Sequence, residues 1–210
     1  DITQVDMSKG NWLILSSANH FLEGAKELCE IQGWYYQYRG NNSVSLRLLL
    51  ALNNWEAWRK GANLNHLEIR NIYEYLGSNV LPGFKKGKTL HTEDKYTLKQ
   101  CQEKHGLAID KVWYDAFEGL DTLTENYIRN MRANDEKINK NPRIIMSTIH
   151  GAKGGEADKV LLMQDLTNAA LETFSHDPDE LHRLFYTGAT RAKKELHVLD
   201  PKNFDRAYIL

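Results

Sequence analysis

Short apolar runs and amphipathic stretches alternate at the start of the chain. Residues 12–16 are an apolar run with polar flanks, which predicts a strand buried in a parallel sheet. From about residue 19 to 32 the apolar side chains recur at helical spacing, and Gly33 supplies a stop. The aromatic run at 34–38 predicts a second strand. The pattern therefore indicates a strand-helix-strand unit.

The next part of the chain is predicted to be helical. A long helix is expected over residues 43–60, closed by Gly61. From about residue 63 to 141 the sequence is more polar, and we expect helices there without a strand. The helical candidates are residues 64–76, 96–103, 109–117 and 120–131. We interpret this stretch as an inserted helical subdomain.

Strand patterns return in the last third of the chain. Residues 143–149, 159–163 and 195–199 are apolar runs, and Pro178 marks the start of an intervening helix. These strands and the earlier ones are expected to form one sheet that the insertion splits. The predicted fold is α/β, a parallel sheet with helices on both faces, in two domains: residues 1–62 with 142–210, and the insertion 63–141.

Composition limits the class of protein. A length of 210 residues with 41% hydrophobic residues suits an ordinary packed core. No run of about 18 apolar residues occurs and the first residues lack a signal-peptide pattern, so we expect no membrane association. Cys29 and Cys101 lie far apart, which suggests a reducing, cytoplasmic setting. The net charge of -1 argues against a polybasic DNA coat but permits a local phosphate-contacting strip.

The stretch GFKKGKT, residues 83–89, ends like a phosphate-binding P-loop. Only three residues separate Gly83 from Gly87, one fewer than the motif requires, and no predicted strand precedes them. We therefore expect a basic loop of the insertion. Its lysines either touch duplex DNA or are simply solvated.

Two longer stretches carry candidate chemistry. The first, residues 147–156, leaves a predicted strand and contains three glycines. Ligands of open α/β sheets bind at the carboxyl ends of strands, so we expect the polar side chains of this turn to crowd that edge. Those side chains are Thr148, His150, Lys153 and Glu156. The alternative is a polar turn between neighbouring strands.

The second stretch, residues 177–194, is predicted to be a helix with a capping-box-like start at Asp177 and Glu180. Gly188 interrupts its apolar face, which indicates close packing against a neighbour. The opposite face carries polar residues that are either solvated or held toward an anion. They are Arg183, Thr187, Thr190, Arg191 and Lys194.

Other groups are weaker candidates. The aromatic residues Trp34, Tyr35, Tyr36 and Tyr38 are predicted to be core, with a base-stacking platform as the alternative. The histidines of the C-terminal third show no metal-ligand spacing, so no metal site is predicted.

Taken in order, these stretches resemble the UvrD/Rep-type superfamily 1 DNA helicases. STIHGAKGGEADKV resembles motif V with its extension, and HRLFYTGATRAKKELHV resembles motif VI. WLILSSANHFLEGAKELCEIQGWYYQYRG is similar to the motif IV region, which opens the second RecA-like domain. The resemblance covers residues 11–60 and 143–200. It implies the C-terminal half of an ATP-dependent helicase that translocates on single-stranded DNA and unwinds duplex DNA.

The resemblance also implies residue roles at a nucleotide site. Arg191 would be the arginine finger that reaches the γ-phosphate of ATP. Glu156 would lie near the ribose, with Gly154 in the same turn. Arg183 and Tyr186 would hold the finger helix in the cleft.

For DNA, the resemblance implies contacts from motif V. Thr148 would bind a phosphate oxygen and His150 a base or sugar of single-stranded DNA. Lys153 belongs to the same candidate DNA-binding set.

Two departures from the family pattern matter. Ser16-Ser17-Ala18 stands where an arginine of motif IV is expected, so either Arg191 acts alone or Arg39 compensates. No Walker loop, magnesium-binding motif or glutamate base precedes residue 12. The resemblance therefore implies that ATP and Mg²⁺ bind between this half and an N-terminal RecA-like domain, and that this chain alone is inactive. The rival reading is a non-catalytic DNA- or protein-binding module derived from a helicase half.

Overall fold

The computed structural model describes residues 1–77, 94–108, 110–138, 141–152 and 154–210. Within these residues lie eight strands: β1 (Trp12–Ser16), β2 (Tyr36–Tyr38), β3 (Asn41–Asn42), β4 (Leu64–Asn65), β5 (Lys95–Tyr96), β6 (Ile144–Thr148), β7 (Ala157–Met163) and β8 (Ala192–Leu199). The same residues form eight α-helices: α1 (Glu23–Gln32), α2 (Leu46–Arg59), α3 (His66–Tyr73), α4 (Leu98–Lys104), α5 (Trp113–Ala116), α6 (Thr122–Ala133), α7 (Asn168–His176) and α8 (Pro178–Ala189).

The chain divides into two compact units. The first unit comprises Asp1–Ser43 and Tyr127–Leu210, and the second comprises Val44–Asn126. The domain boundaries expected from the sequence, at 62/63 and 141/142, stay a prediction, because compact units of contacting residues do not define functional domains.

A six-stranded sheet in the order β3-β2-β6-β1-β7-β8 organises the first unit. All neighbours are parallel except the β2–β3 hairpin. Trp12 at the start of β1 lies level with Ile144 of β6 and Lys159 of β7. The predicted α/β class is confirmed, and the strands on both sides of the insertion do form one sheet.

Helices cover both faces of this sheet. All five residues of β1 are buried, as a central strand between two layers requires. On one face, Phe21, just before α1, and Ala25 of α1 line a cavity together with Met163 of β7. The other face packs against α7 and α8 in a cluster of buried side chains: Leu13, Leu15, Ile149, Ala152, Val160, Leu162, Leu166, Leu181 and Phe185.

Several predicted elements are confirmed at or near their expected bounds. Gly33 ends α1 in the left-handed conformation, at φ 66°, and its N–H bonds to the last carbonyls of the helix. Trp34, Tyr35 and Tyr36 are buried, so the core interpretation of the aromatic run is confirmed for them. Tyr38 is only partly buried.

The region around α8 differs from expectation. Helix α7 was not predicted, although Thr167 caps it by accepting the N–H of Ala170 at 3.1 Å. Asp177 is both the C-cap of α7 and the N-cap of α8. Its side chain makes no capping hydrogen bond, so the predicted capping box is wrong. α8 also ends at Ala189, so Arg191 lies in the turn before β8 and not on the helix.

The described part of the second unit is mainly helical, as expected, but it also contains a strand pair. Leu64 pairs with Tyr96 in a short antiparallel ladder between β4 and β5, so the expectation of no strand is wrong. Two buried tryptophans fill the core and donate their indole N–H groups to backbone carbonyls, Trp55 to Lys111 at 3.0 Å and Trp58 to Tyr96 at 2.9 Å. The GFKKGKT stretch lies outside the described residues.

We predict that Gly33→Ala destabilises the chain far more than Gly40→Ala. Both glycines have positive φ, so both variants incur about 1 kcal/mol of backbone strain. A Cβ on Gly33 would lie 2.5 Å from the backbone nitrogen of Met131 in α6, whereas a Cβ on Gly40 meets nothing within 4 Å. We expect an additional loss of about 2 kcal/mol or more for Gly33→Ala. Urea unfolding of both variants measures it, and equal losses would contradict the close packing.

Candidate functional site

The sequence-predicted site residues lie at two opposite edges of the sheet. Thr148 ends β6 at the carboxyl edge and His150 follows it, whereas Glu156 precedes β7 at the amino edge. The expectation that these side chains crowd one edge is therefore wrong. The cause is topological, because the segment between parallel strands must return to the opposite edge before β7 can begin. Lys153 lies outside the described residues.

A helical turn opens this returning segment at the carboxyl edge. Ile149 donates its N–H to the carbonyl of Ser16 at the end of β1, over 2.9 Å. Ala152 donates to the Thr148 carbonyl at 3.0 Å, and Gly151 donates to the Thr148 Oγ1 at 3.1 Å. The Thr148 hydroxyl accepts in that bond, so its proton remains available to a further acceptor. His150 is exposed beside it.

Gly151 is required by the packing of this turn. A Cβ there would lie 2.7 Å from the Ser147 Oγ and 3.1 Å from the Thr148 Oγ1. Its neighbours Ile149 and Ala152 point inward and are buried. The turn is thereby fixed to the sheet while His150 stays at the surface.

Helix α8 packs directly on this segment through Gly188. A Cβ on Gly188 would lie 3.2 Å from the Leu162 Cδ1 and 3.4 Å from the Ile149 Cγ2. The predicted role of Gly188 in close packing is confirmed. The helix that precedes Arg191 and the turn that carries His150 thus share one apolar contact.

At the amino edge, Glu156 and Arg191 are brought together by strand pairing. Ala157 donates its N–H to the Arg191 carbonyl at 3.1 Å, and Ala157 and Ala192 are register partners. The Arg191 Nε donates to the Thr187 carbonyl at 3.0 Å, at the C-terminal end of α8 where a cation is favourable. Among the described residues, the Arg191 guanidinium forms no salt bridge.

The remaining candidates lie in the turn before Glu156 and on α8. Gly154 has φ 86°, in the left-handed region, in the turn that leads to Glu156. Arg183 and Tyr186 are exposed on α8, with Tyr186 70% accessible. These two residues lie three positions apart and share one face of the helix.

Arg39 and Ser17 lie at the carboxyl edge, opposite Arg191. Arg39 follows β2 and Ser17 follows β1. A five-residue strand is about 16 Å long, so Arg39 and Arg191 of one domain do not meet at one phosphate, and the expectation that Arg39 compensates is not supported. The Ser17 hydroxyl instead donates to the Asp165 carbonyl at 2.6 Å and ties the ends of two strands together.

Other chemistries find little support in the described part of the chain. No helix in it is long and apolar enough to cross a membrane, and no group of three or more metal-ligating side chains is gathered there. Burial raises the pKa of the Cys29 thiol to about 12 and that of the Cys101 thiol to about 11. Both cysteines therefore stay protonated near neutral pH and are unsuited to nucleophilic catalysis.

Sequence reasoning missed one charged side chain at the amino edge. The Lys193 Nζ lies 3.3 Å from the Glu156 Oε2. The predicted strand began at residue 195, whereas β8 begins at Ala192, so nothing in the pattern placed Lys193 beside Glu156.

The fold is that of an open α/β sheet, and comparison with known proteins gives the family. The family model for the UvrD-like helicase C-terminal domain matches residues 65–201, and the chain belongs to this family. The α/β sheet is therefore the RecA-like fold of a helicase C-terminal domain, and the resemblance seen in motifs V and VI is confirmed.

One curated relative is the ATP-dependent DNA helicase srs2 of Schizosaccharomyces pombe (strain 972 / ATCC 24843). It is 27% identical over 198 residues, which cover 90% of this chain and 20% of the relative. The chain thus spans about a fifth of the length of this relative. No solved structure matches the chain.

We predict opposite stability effects for alanine at two helical glycines. Gly24 in α1 has nothing within 4 Å of its added Cβ, so Gly24→Ala should stabilise by up to about 1 kcal/mol through helix propensity. Gly188→Ala brings the same gain in helix propensity, but its added methyl group presses on Ile149 and Leu162. We therefore expect the Gly188→Ala protein to unfold with a free energy at least about 1 kcal/mol lower than that of Gly24→Ala. Thermal unfolding of both variants tests this, and equal stabilisation would rule out the tight contact.

Proposed function

We propose that this chain is the C-terminal half of an ATP-dependent superfamily 1 DNA helicase, with its amino edge facing nucleotide and its carboxyl edge facing single-stranded DNA. One observation carries the proposal: a single short segment links Thr148 and His150 at one edge to Glu156 at the other, and it packs on the helix that precedes Arg191. Such a connection suits a motor that must relate the state of a nucleotide to the position of DNA.

At the nucleotide edge, Arg191 would stabilise negative charge on the transferring γ-phosphoryl group. Its Nε is occupied by the Thr187 carbonyl, which fixes the plane of the guanidinium and leaves its terminal nitrogens to phosphate oxygens. Glu156 would accept hydrogen bonds from the ribose. ATP and Mg²⁺ would sit between this edge and an N-terminal RecA-like domain that supplies the phosphate loop and the metal ligands.

At the DNA edge, Thr148 and His150 would contact single-stranded DNA. The Thr148 hydroxyl can donate to a phosphate oxygen while it accepts the N–H of Gly151. His150 is exposed and can stack on a base or bond to a sugar. Lys153, which lies between His150 and Glu156 in the sequence, would add a positive charge that attracts the DNA backbone.

The arginine-finger role gives a direct test in the full-length protein. We expect Arg191→Ala to lower the DNA-stimulated rate of ATP hydrolysis by about a hundredfold or more, the scale of a lost arginine finger. Arg191→Lys should restore little of it, because an ammonium lacks the planar fork. Arg206→Ala, at an exposed position on the same unit, serves as the control. A rate unchanged by Arg191→Ala would favour a non-catalytic module that binds DNA or a partner protein.

The DNA role of His150 is tested separately. We expect His150→Ala in the full-length protein to raise the concentration of single-stranded DNA that half-saturates ATP hydrolysis by about fivefold or more, as for the loss of one stacked base. The exposed His176 at the end of α7 offers a matched control, His176→Ala. The same half-saturating concentration in both variants would remove His150 from the DNA-binding surface.

A further inference from the structure

The pairing of β7 with β8 is irregular next to Arg191. Ala157 pairs with Ala192 and Lys159 pairs with Glu195, so two steps along β7 correspond to three along β8. This is a β-bulge in β8, and it falls on Lys193 and Lys194. Bulges re-aim side chains next to functional sites, so the direction of these two lysines is informative.

Each lysine of the bulge meets a different carboxylate. The Lys193 Nζ lies 3.3 Å from the Glu156 Oε2, and the Lys194 Nζ lies 3.3 Å from the Asp158 Oδ2. In a regular strand, consecutive side chains point to opposite faces. The extra residue instead lets two consecutive lysines reach two acids that flank Ala157. Only Lys193 reaches the acid that precedes β7, at the edge where Arg191 lies.

We propose that Lys193 is a positioning residue of the nucleotide site, acting through Glu156; the inference rests on the nucleotide-edge function proposed above. Its ammonium holds one carboxylate oxygen, Oε2, and leaves Oε1 to accept a ribose hydroxyl. It also offsets the negative charge of Glu156, which would otherwise repel the polyphosphate of ATP.

The exposure of the pair fits this role. The side chains of Lys193 and Glu156 are 54% and 51% accessible, so their ion pair is weak and screened by salt. A weak pair contributes little to folding and can rearrange when a ligand arrives. Its effect should therefore appear in nucleotide binding and not in stability.

The structure supplies a matched control in Lys194. It occupies the same bulge, carries the same charge and pairs with a carboxylate at the same distance, but its partner Asp158 lies within β7 and is not a candidate nucleotide residue. Lys193→Met and Lys194→Met thus remove equal charge from neighbouring positions of the same bulge. Only the first removes it from Glu156.

The experiment measures DNA-stimulated ATP hydrolysis by the full-length protein at low and high salt. For Lys193→Met we expect a KM for ATP about threefold to fivefold above wild type with kcat within about twofold, the scale of one exposed charge pair. The increase should shrink at high salt, because screening removes the advantage of wild type. Lys193→Arg should have a KM for ATP close to that of wild type, and so should Lys194→Met.

The outcomes separate this inference from the function on which it rests. If wild type hydrolyses ATP and Lys193→Met has the KM of Lys194→Met, Lys193 has no role at the site and only the inference is wrong. If Lys193→Met lowers kcat with KM unchanged, positioning through Glu156 is likewise wrong. If wild type neither binds nor hydrolyses ATP, the proposed function fails, and the inference fails with it.

Discussion

The contact between Ile149 and Gly188 is the constraint on which the candidate site depends. Strands β6 and β7 flank β1, so the segment between them must cross the face of β1 and run the length of the sheet in only eight residues. The span from Thr148 to Ala157 is about 20 Å along the strands and about 10 Å across them. A helical turn advances only about 6 Å, so the rest of the segment has little slack. It lies against the sheet because Ile149 and Ala152 are buried beneath α8.

This geometry explains why the glycines of the two motifs occur where they do. Gly188 lets the backbone of α8 approach Ile149, and Gly151 lets the turn close over Ser147. Gly154 adopts a left-handed conformation on the way to Glu156. A side chain at Gly151 or Gly188 would press on these neighbours and disturb the packing that the turn shares with α8, whereas at Gly154 it would meet only the strain of the left-handed backbone.

The sequence predicted the elements that local patterns determine. Strand β1 and the end of α1 at Gly33 follow from an apolar run and from a backbone position that favours glycine. Local patterns do not reveal which edge of a sheet a loop residue reaches, so Glu156 was expected beside Thr148. They also do not reveal where a helix gives way to a strand when both are apolar on one side, so Arg191 was placed on α8. The bulge at Lys193 depends on the pairing of two strands and has no local signal.

A site divided between two edges has a consequence for coupling. Binding at one edge changes affinity at the other only if the connecting element has two conformations and each ligand binds one of them more tightly than the other. A slack loop would absorb a displacement of Glu156 without moving His150. Under the proposed function, the short segment, fixed by Ile149 beneath α8, would transmit such a displacement, since buried packing yields little to small shifts. If the proposed function holds, changes that loosen this packing should therefore weaken coupling between DNA and ATP even where neither ligand is touched.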